Sequence, residues 1–315
     1  MENNKACLNK ECVKTSIGGQ AVLEGIMMRG PKKSALSVRM QDGSIHTETW
    51  DTPNMNVWYK KTPFIRGVIN FFDSLGQGYK CLMRSAELTG EFEEEESEFE
   101  KKLKAKLGDK YNTVFESVIM VLALALSLSL FMFLPTFIVK LIQPYVANTV
   151  LLTTIESCIK LAIFFTYLFL VSRMEDIKRT FMFHGAEHKC IFCYEHGEEL
   201  TVENVRKYSR FHPRCGTSDI VIVLLLSILV FSFIGWGSIW SRVLTKLICL
   251  PITMSLAYEC IKFAGRHDNK FTRILSAPGL WTQRLSTIEP DDEMIEVAIA
   301  AMKEVIPENA KDALY

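Results

Sequence analysis

The chain has 315 residues, 49% of them apolar, with 36 basic and 36 acidic side chains. That balance excludes a nucleic-acid binder, because neutralising phosphates needs a clear basic excess. The nine cysteines are odd in number, and no charged region leads into an apolar core and cleavage site at the N-terminus. They therefore read as reduced or partly metal-bound thiols of a reducing compartment, not as a disulfide framework.

Residues 1–62 read as a small β-containing module. From Ile17 the chain runs Gly-Gly-Gln-Ala-Val-Leu-Glu-Gly-Ile-Met-Met-Arg-Gly-Pro, and Ala35–Arg39 and Ile45–Thr49 then flank Gln-Asp-Gly-Ser. An Asp-Gly turn between two β-prone runs predicts a hairpin. Gly18, Gly19, Gly25 and Gly30 match neither a phosphate-loop nor a dinucleotide spacing, so they are read as turn glycines in preference to points of close approach to a ligand.

Residues 63–112 hold an amphipathic helix and a charged linker. Ile65, Val68, Ile69, Phe72, Leu75, Tyr79 and Leu82 recur at helical spacing, as in a helix lying on a membrane or on the β module. Glu91–Glu100 and the Lys-rich stretch to Lys110 read as solvated linker.

Two transmembrane hairpins follow, over 113–172 and 219–264. Val118–Val139 and Ile220–Ser241 are each long enough, without a charge, to cross a hydrocarbon layer of roughly 30 Å. Val146–Ser172 is long enough but carries Glu156 and Lys160, read as an i,i+4 pair neutralised near the outer interface. Leu247–Tyr258 is short, and spans only if Lys246 and Lys262 snorkel, with a kink at Pro251. The 140–145 and 242–246 links hold few basic residues, whereas the 173–218 loop holds many, among them Arg173, Lys178, Arg179, Arg206, Arg210 and Arg214. The positive-inside bias places the N-terminal part, the 173–218 loop and the 265–315 segment in the cytoplasm. The expected fold is thus an α-helical polytopic membrane protein of about four transmembrane helices with a small N-terminal β-containing cytoplasmic module. In 265–315, Ile274–Arg284 reads as a turn with an aromatic at the interface, and Thr287–Val305 as an amphipathic helix opened by Pro290, Asp291, Asp292 and Glu293.

The chemistry concentrates in the 173–218 loop. If Phe181–Cys190 is helical, His184 and His188 project from one face close enough to hold a divalent metal, and Glu187 stands beside them as candidate catalytic base. This is the spacing of the inverted zincin signature. His212, Cys215 and Glu259 are candidates for a further ligand, with an ion pair to Lys262 or Arg266 as the other reading of Glu259. Arg210 and Arg214 are candidates for an anion or lipid headgroup, although basic residues there also determine topology. A rival site is Cys190-x2-Cys193-x18-His212-x2-Cys215, a closed structural zinc spacing that would do no chemistry.

The segments Ile17–Pro31, Pro63-Phe-Ile-Arg-Gly, His184-Gly-Ala-Glu-His, His212-Pro-Arg-Cys-Gly-Thr-Ser and Ser276–Arg284 together resemble the bacterial YqhQ-like membrane proteins, over about residues 16–305. The resemblance implies a family of unknown function, often labelled predicted metal-dependent enzymes, and a place in the bacterial cell membrane. Its pattern includes the His-Gly-Ala-Glu-His and His-Pro-Arg-Cys segments without requiring Cys190 and Cys193, which disfavours the closed site. The expected function is a membrane-embedded metal-dependent hydrolase, with zinc as the metal, acting at the cytoplasmic face on a membrane-presented peptide or lipid. The alternatives are a non-catalytic scaffold or assembly factor whose loop is stabilised by a metal or hydrogen bonds, and a small transporter.

Overall fold

The computed structural model describes residues 14–53, 57–90, 111–267 and 269–309, with 106, 108 and 312 in addition. The charged run Glu91–Glu100 lies outside them. In chain order the elements are β1 (Gly18–Val22), β2 (Gly25–Arg29), β3 (Lys33–Arg39), β4 (Ile45–Asp51), α1 (Ile65–Thr89), α2 (Tyr111–Leu128), α3 (Leu134–Ile142), α4 (Thr149–Val171), α5 (Glu175–Glu195), α6 (Val202–Arg206), α7 (Gly216–Ser232), α8 (Ile239–Arg266), α9 (Lys270–Ser286) and α10 (Asp292–Val305). The chain divides into two compact units, one of Met1–Gly90, Leu168–Leu226 and Pro251–Tyr315, the other of Glu91–Tyr167 and Ser227–Leu250.

The first unit is built on an antiparallel meander of β1 to β4. Alternation along the strands sends Ile26, Met28 and Ala35 to a core shared with α5 and α10. The opposite side sends Val22, Met27, Leu36 and Val38 to a second core with Cys81 of α1. Both faces are covered, and for that reason β3 buries five residues in succession. The expected Asp-Gly hairpin joins β3 to β4, with Gly43 at φ 83° and Asp42 Oδ1 accepting from Ser44 N at 2.9 Å. Gly18, Gly19 and Gly25 are strand residues and not turn glycines. At Gly19 the reason is close approach, since a Cβ there would lie 2.7 Å from Met27 O and 3.0 Å from the carboxyl carbon of Glu187.

One C-terminal expectation changes. Ile274–Arg284 is not a turn but part of α9, whose start is fixed by an Asn269–Thr272 capping box and which runs through Pro278. Its C-terminal half is tied down by buried Thr282, Gln283 and Ser286. α10 begins at Asp292, with Asp291 accepting from Met294 N as N-cap. It buries Met294, Ile295, Ala298, Ala301 and Met302 between the sheet and α5 and exposes Asp292, Glu293, Glu296, Lys303 and Glu304, so it is the expected amphipathic helix, starting at Asp292 instead of Thr287.

In the second unit α2 passes through a π turn, Ser129–Phe133, into α3. Pro135 just beyond lacks the N–H that regular winding would use, which accounts for the widened turn. Among the described residues, three helices, Ser117–Tyr145, Thr149–Val171 and Ile239–Ala264, are long and apolar enough to cross a membrane; Ile220–Ser232 is apolar but shorter. The expected unbroken 220–241 span is therefore corrected: α7 stops at Ser232, and the 233–238 stretch with Gly235 and Gly237 precedes α8. The expected short span at 247–258 becomes part of α8, a helix of 28 residues.

Charge pairing explains why α8 extends so far back. Arg242 and Lys246, read as link residues, are each 1% exposed. Glu156 Oε2 accepts from Arg242 Nη2 at 2.8 Å, and Oε1 accepts from Lys246 Nζ and from Thr136 Oγ1. Lys160 Nζ instead donates to Ser227 Oγ at 3.3 Å and lies 5.0 Å from the centre of the Phe231 ring. The expected Glu156–Lys160 pair at an interface gives way to a buried Glu156 clamp on α8.

Candidate metal centre

α5 carries Glu175 and Asp176 in its first turn, where acidic groups suit the helix dipole. From Phe183 onward it is buried almost continuously, so the His184–His188 face is held inside the first unit. Gly185 permits this packing. A Cβ there would lie 2.1 Å from Ile288 O, so the chain after α9 can run against α5 only past a glycine.

The two imidazoles sit one turn apart, with ring centres 4.4 Å from each other. His184 Nδ1 lies 2.8 Å from Ser286 O, and His188 Nδ1 lies 2.6 Å from Arg210 O. A carbonyl only accepts, so each Nδ1 carries a proton and each Nε2 is the nitrogen left to face a ligand. This is how metal-binding histidines are oriented by neighbouring carbonyls. His184 Nε2 is 3.1 Å from Cys215 Sγ. Among the described residues, His184, His188 and Cys215 form a group whose ligand atoms all lie within 4.8 Å of one another. His188 Nε2 and Glu187 Oε2 are buried and have no hydrogen-bond partner among the described residues. Such orphaned atoms cost about 1–3 kcal/mol each, a cost that a bound cation and its water would remove.

The electrostatics favour a thiolate. Burial raises the Cys215 thiol, but the imidazoles of His188 and His184 outweigh it and hold it well below its ordinary value. Burial also works against a charged His184, yet the Cys215 sulfur prevails and His184 is pushed up to about 9. Glu187 is raised, by burial first, against the pull of His184 and His188.

The other candidate residues take different places. His212 does not join the triad. Its backbone is clamped by Gln283, with His212 N donating to Gln283 Oε1 at 2.8 Å and Gln283 Nε2 donating to His212 O at 2.7 Å. Its Nε2 stands 3.7 Å from Glu195 Oε2, and burial, opposed by Glu195, pushes it down to about 4. Glu259 is held on α8 by Arg66, whose Nε donates to Oε1 at 2.7 Å, so it is engaged in an ion pair with Arg66. Arg210 Nη1 donates to Thr287 O at 2.6 Å, and Arg214 donates to Thr15 O at 2.9 Å and pairs with Glu195. Cys193 Sγ faces Glu199 O at 3.6 Å, and Cys190 and Cys193 belong to no three-donor group of that tightness among the described residues.

A cavity of about 500 Å³ adjoins the triad, lined in part by Gln20, Arg29, His184, Glu187, Arg214 and Cys215. Arg29, Glu195, Gln283 and the Ser286 carbonyl carry no motif that sequence spacing alone singles out. The resemblance covers two of them, Arg29 within Ile17–Pro31 and Gln283 within Ser276–Arg284.

Residues 62–308 match a family described as Protein of unknown function (DUF1385). The chain belongs to this family. It is also 34% identical over 303 residues, 95% of each chain, to the uncharacterized protein YqhQ of Bacillus subtilis (strain 168). No solved structure matches. The part matched by the DUF1385 family contains α5, the 210–216 stretch and α9, and so every residue of the triad and both carbonyls that orient it.

Proposed function

We propose that this DUF1385 protein is a multi-pass membrane hydrolase dependent on a divalent metal, zinc, held by His184, His188 and Cys215 at the cytoplasmic face. The observation that carries the reading is the convergence of three donor atoms within 4.8 Å beside a cavity, with both imidazoles turned by carbonyls and with Glu187 Oε2 left without a partner. Two nitrogens and one sulfur with an open side suit catalytic zinc, whereas a structural site closes with four protein ligands. Three apolar helices support a membrane setting, and the basic 173–218 loop supports a cytoplasmic active unit.

A zinc ion there would supply Lewis acidity, making water nucleophilic near pH 7. Glu187 takes a proton from the attacking water. The water oxygen bonds to the acyl carbon, the ester or amide bond breaks, and the proton on Glu187 passes to the leaving oxygen or nitrogen. His184 and His188 hold their orientation through Ser286 O and Arg210 O.

The test is elemental analysis of the purified full chain together with turnover of a chromogenic ester panel. Glu187→Gln is expected to keep about one zinc per chain and lose turnover by roughly 100-fold or more. His184→Ala is expected to lose both. Zinc retained with turnover equal in wild type and Glu187→Gln would leave the metal as a brace for a scaffold and end the hydrolase reading.

A further inference from the structure

The cavity has a second kind of wall. Ser74 and Gln77 of α1 line it opposite the strand residues. α1 itself is three-sided. Gly67, Gly78, Cys81 and Ser85 face the protein, while Phe71, Leu75 and Leu82, four and seven residues apart, with Phe72 beside them, are exposed. The same helix is fastened to the C-terminal half of α8, through Arg66 with Glu259 and through Asn70 Nδ2 donating to Tyr258 Oη at 2.9 Å. α8 is long and apolar enough to cross a bilayer. A helix fastened beside such a span, with an exposed aromatic and aliphatic face, has the build of an interfacial helix.

α9 repeats the pattern independently. Phe271, Ile274 and Trp281 are exposed at spacings of three and seven, and exposed Lys270, Arg273 and Arg284 flank them. Aromatic residues beside basic ones suit the headgroup layer of an anionic membrane. α9 also ends on Ser286, whose carbonyl orients His184, and carries Gln283, which clamps His212. α1 therefore lines the cavity and α9 braces the centre, and each carries an exposed apolar face. The charged and titratable side chains along the cavity are Arg29, His184, Glu187, Arg214 and Cys215, with Arg214 paired to Glu195. A divalent ion held by His184, His188 and Cys215 would outweigh the single negative charge of the thiolate and favour an anion in the cavity that Arg29 also lines.

We propose that the cavity receives the anionic headgroup of a bilayer lipid, presented to it along the exposed faces of α1 and α9. This names a substrate class for the hydrolase reading and rests on that reading for the metal that charges the cavity, while headgroup binding itself needs no turnover. The zinc-loaded full chain in detergent is titrated with soluble dihexanoylphosphatidylglycerol, dihexanoylphosphatidylcholine and inorganic phosphate. The glycerol lipid is expected to bind roughly tenfold or more tighter than the choline lipid, inorganic phosphate not to compete, and Arg29→Gln to abolish the preference at unchanged zinc content. Gln77→Leu, on the α1 wall, is expected to weaken the same binding and stands in should Arg29→Gln fail to fold. In nanodiscs containing phosphatidylglycerol with a diazirine in its acyl chain, adducts are expected on 71–75 and 271–281. Equal affinity for the two lipids, competition by phosphate, an undiminished preference in both variants, or no adducts on α1 and α9 would overturn the proposal. Zinc bound with no lipid preference sinks this inference alone, and zinc bound with the lipid preference but with turnover equal in wild type and Glu187→Gln sinks the hydrolase reading alone.

Discussion

Gly185 shows how closely the centre depends on one hydrogen atom. The neighbour that a Cβ would strike is a backbone oxygen, Ile288 O, which cannot retreat by changing rotamer. Gly185→Ala is expected to lower stability by about 1–3 kcal/mol, read as a clear drop in Tm of the purified chain, and an unchanged Tm would contradict the packing. Glu195 contributes through charge. Burial raises its carboxyl, but His212 and Arg214 outweigh burial and hold it below its ordinary value of 4.5. As pH falls, the unfolded chain takes up this proton first, so the stability Glu195 contributes is complete above about pH 4.5 and is lost as pH falls through its folded value. Glu195→Gln should therefore be less stable at pH 7 and decline less steeply below about pH 4.5 in Tm against pH. Parallel profiles would show that the pair with Arg214 does not stabilise the fold.

At the scale of elements, α4 and α8 are joined by one carboxylate. Glu156 accepts from Arg242, Lys246 and Thr136, all buried. Glu156→Gln leaves two buried cations without their counter-charge, and is expected to cost about 3–5 kcal/mol, measured by thermal unfolding in detergent. Arg242 and Lys246 also show where sequence reading stops. Hydropathy treats a charge as the end of a span, so both residues shortened the expected fourth helix to 247–258. Only a pairing partner 86 and 90 residues away reverses that. Local signals fared better: the 3.6-residue apolar period of α1, the Asp42-Gly43 hairpin and the acidic opening of α10 were all legible. Pro278 was a misleading one, since the capping box at Asn269 and the buried polar residues after it carry α9 through the proline. In the site, His184, Glu187 and His188 were legible because one helical turn brings them together, and Cys215 was legible as one of three candidates. What separated Cys215 from His212 and Glu259 was tertiary: Gln283 turns His212 towards Glu195, and Arg66 holds Glu259.

For the whole molecule, the three apolar helices and the basic loop lead to an account in which the sheet, α5, α9 and α10 form a cytoplasmic unit. Glu198→Cys, on the exposed stretch after α5, is then expected to react with an impermeant maleimide only after cells are opened, and Ala147→Cys, between α3 and α4, to react in intact cells. The reverse pattern would invert the topology and put the thiol of Cys215 on the oxidising side. The central claim, however, is that His184, His188 and Cys215 hold one metal. X-ray absorption at the zinc edge of the purified full chain tests it most directly. The account predicts about one zinc per chain with two nitrogens at about 2.0 Å and one sulfur at about 2.3 Å, the sulfur lost in Cys215→Ser; no bound metal, or a shell of three sulfurs that includes Cys190 and Cys193, would contradict it.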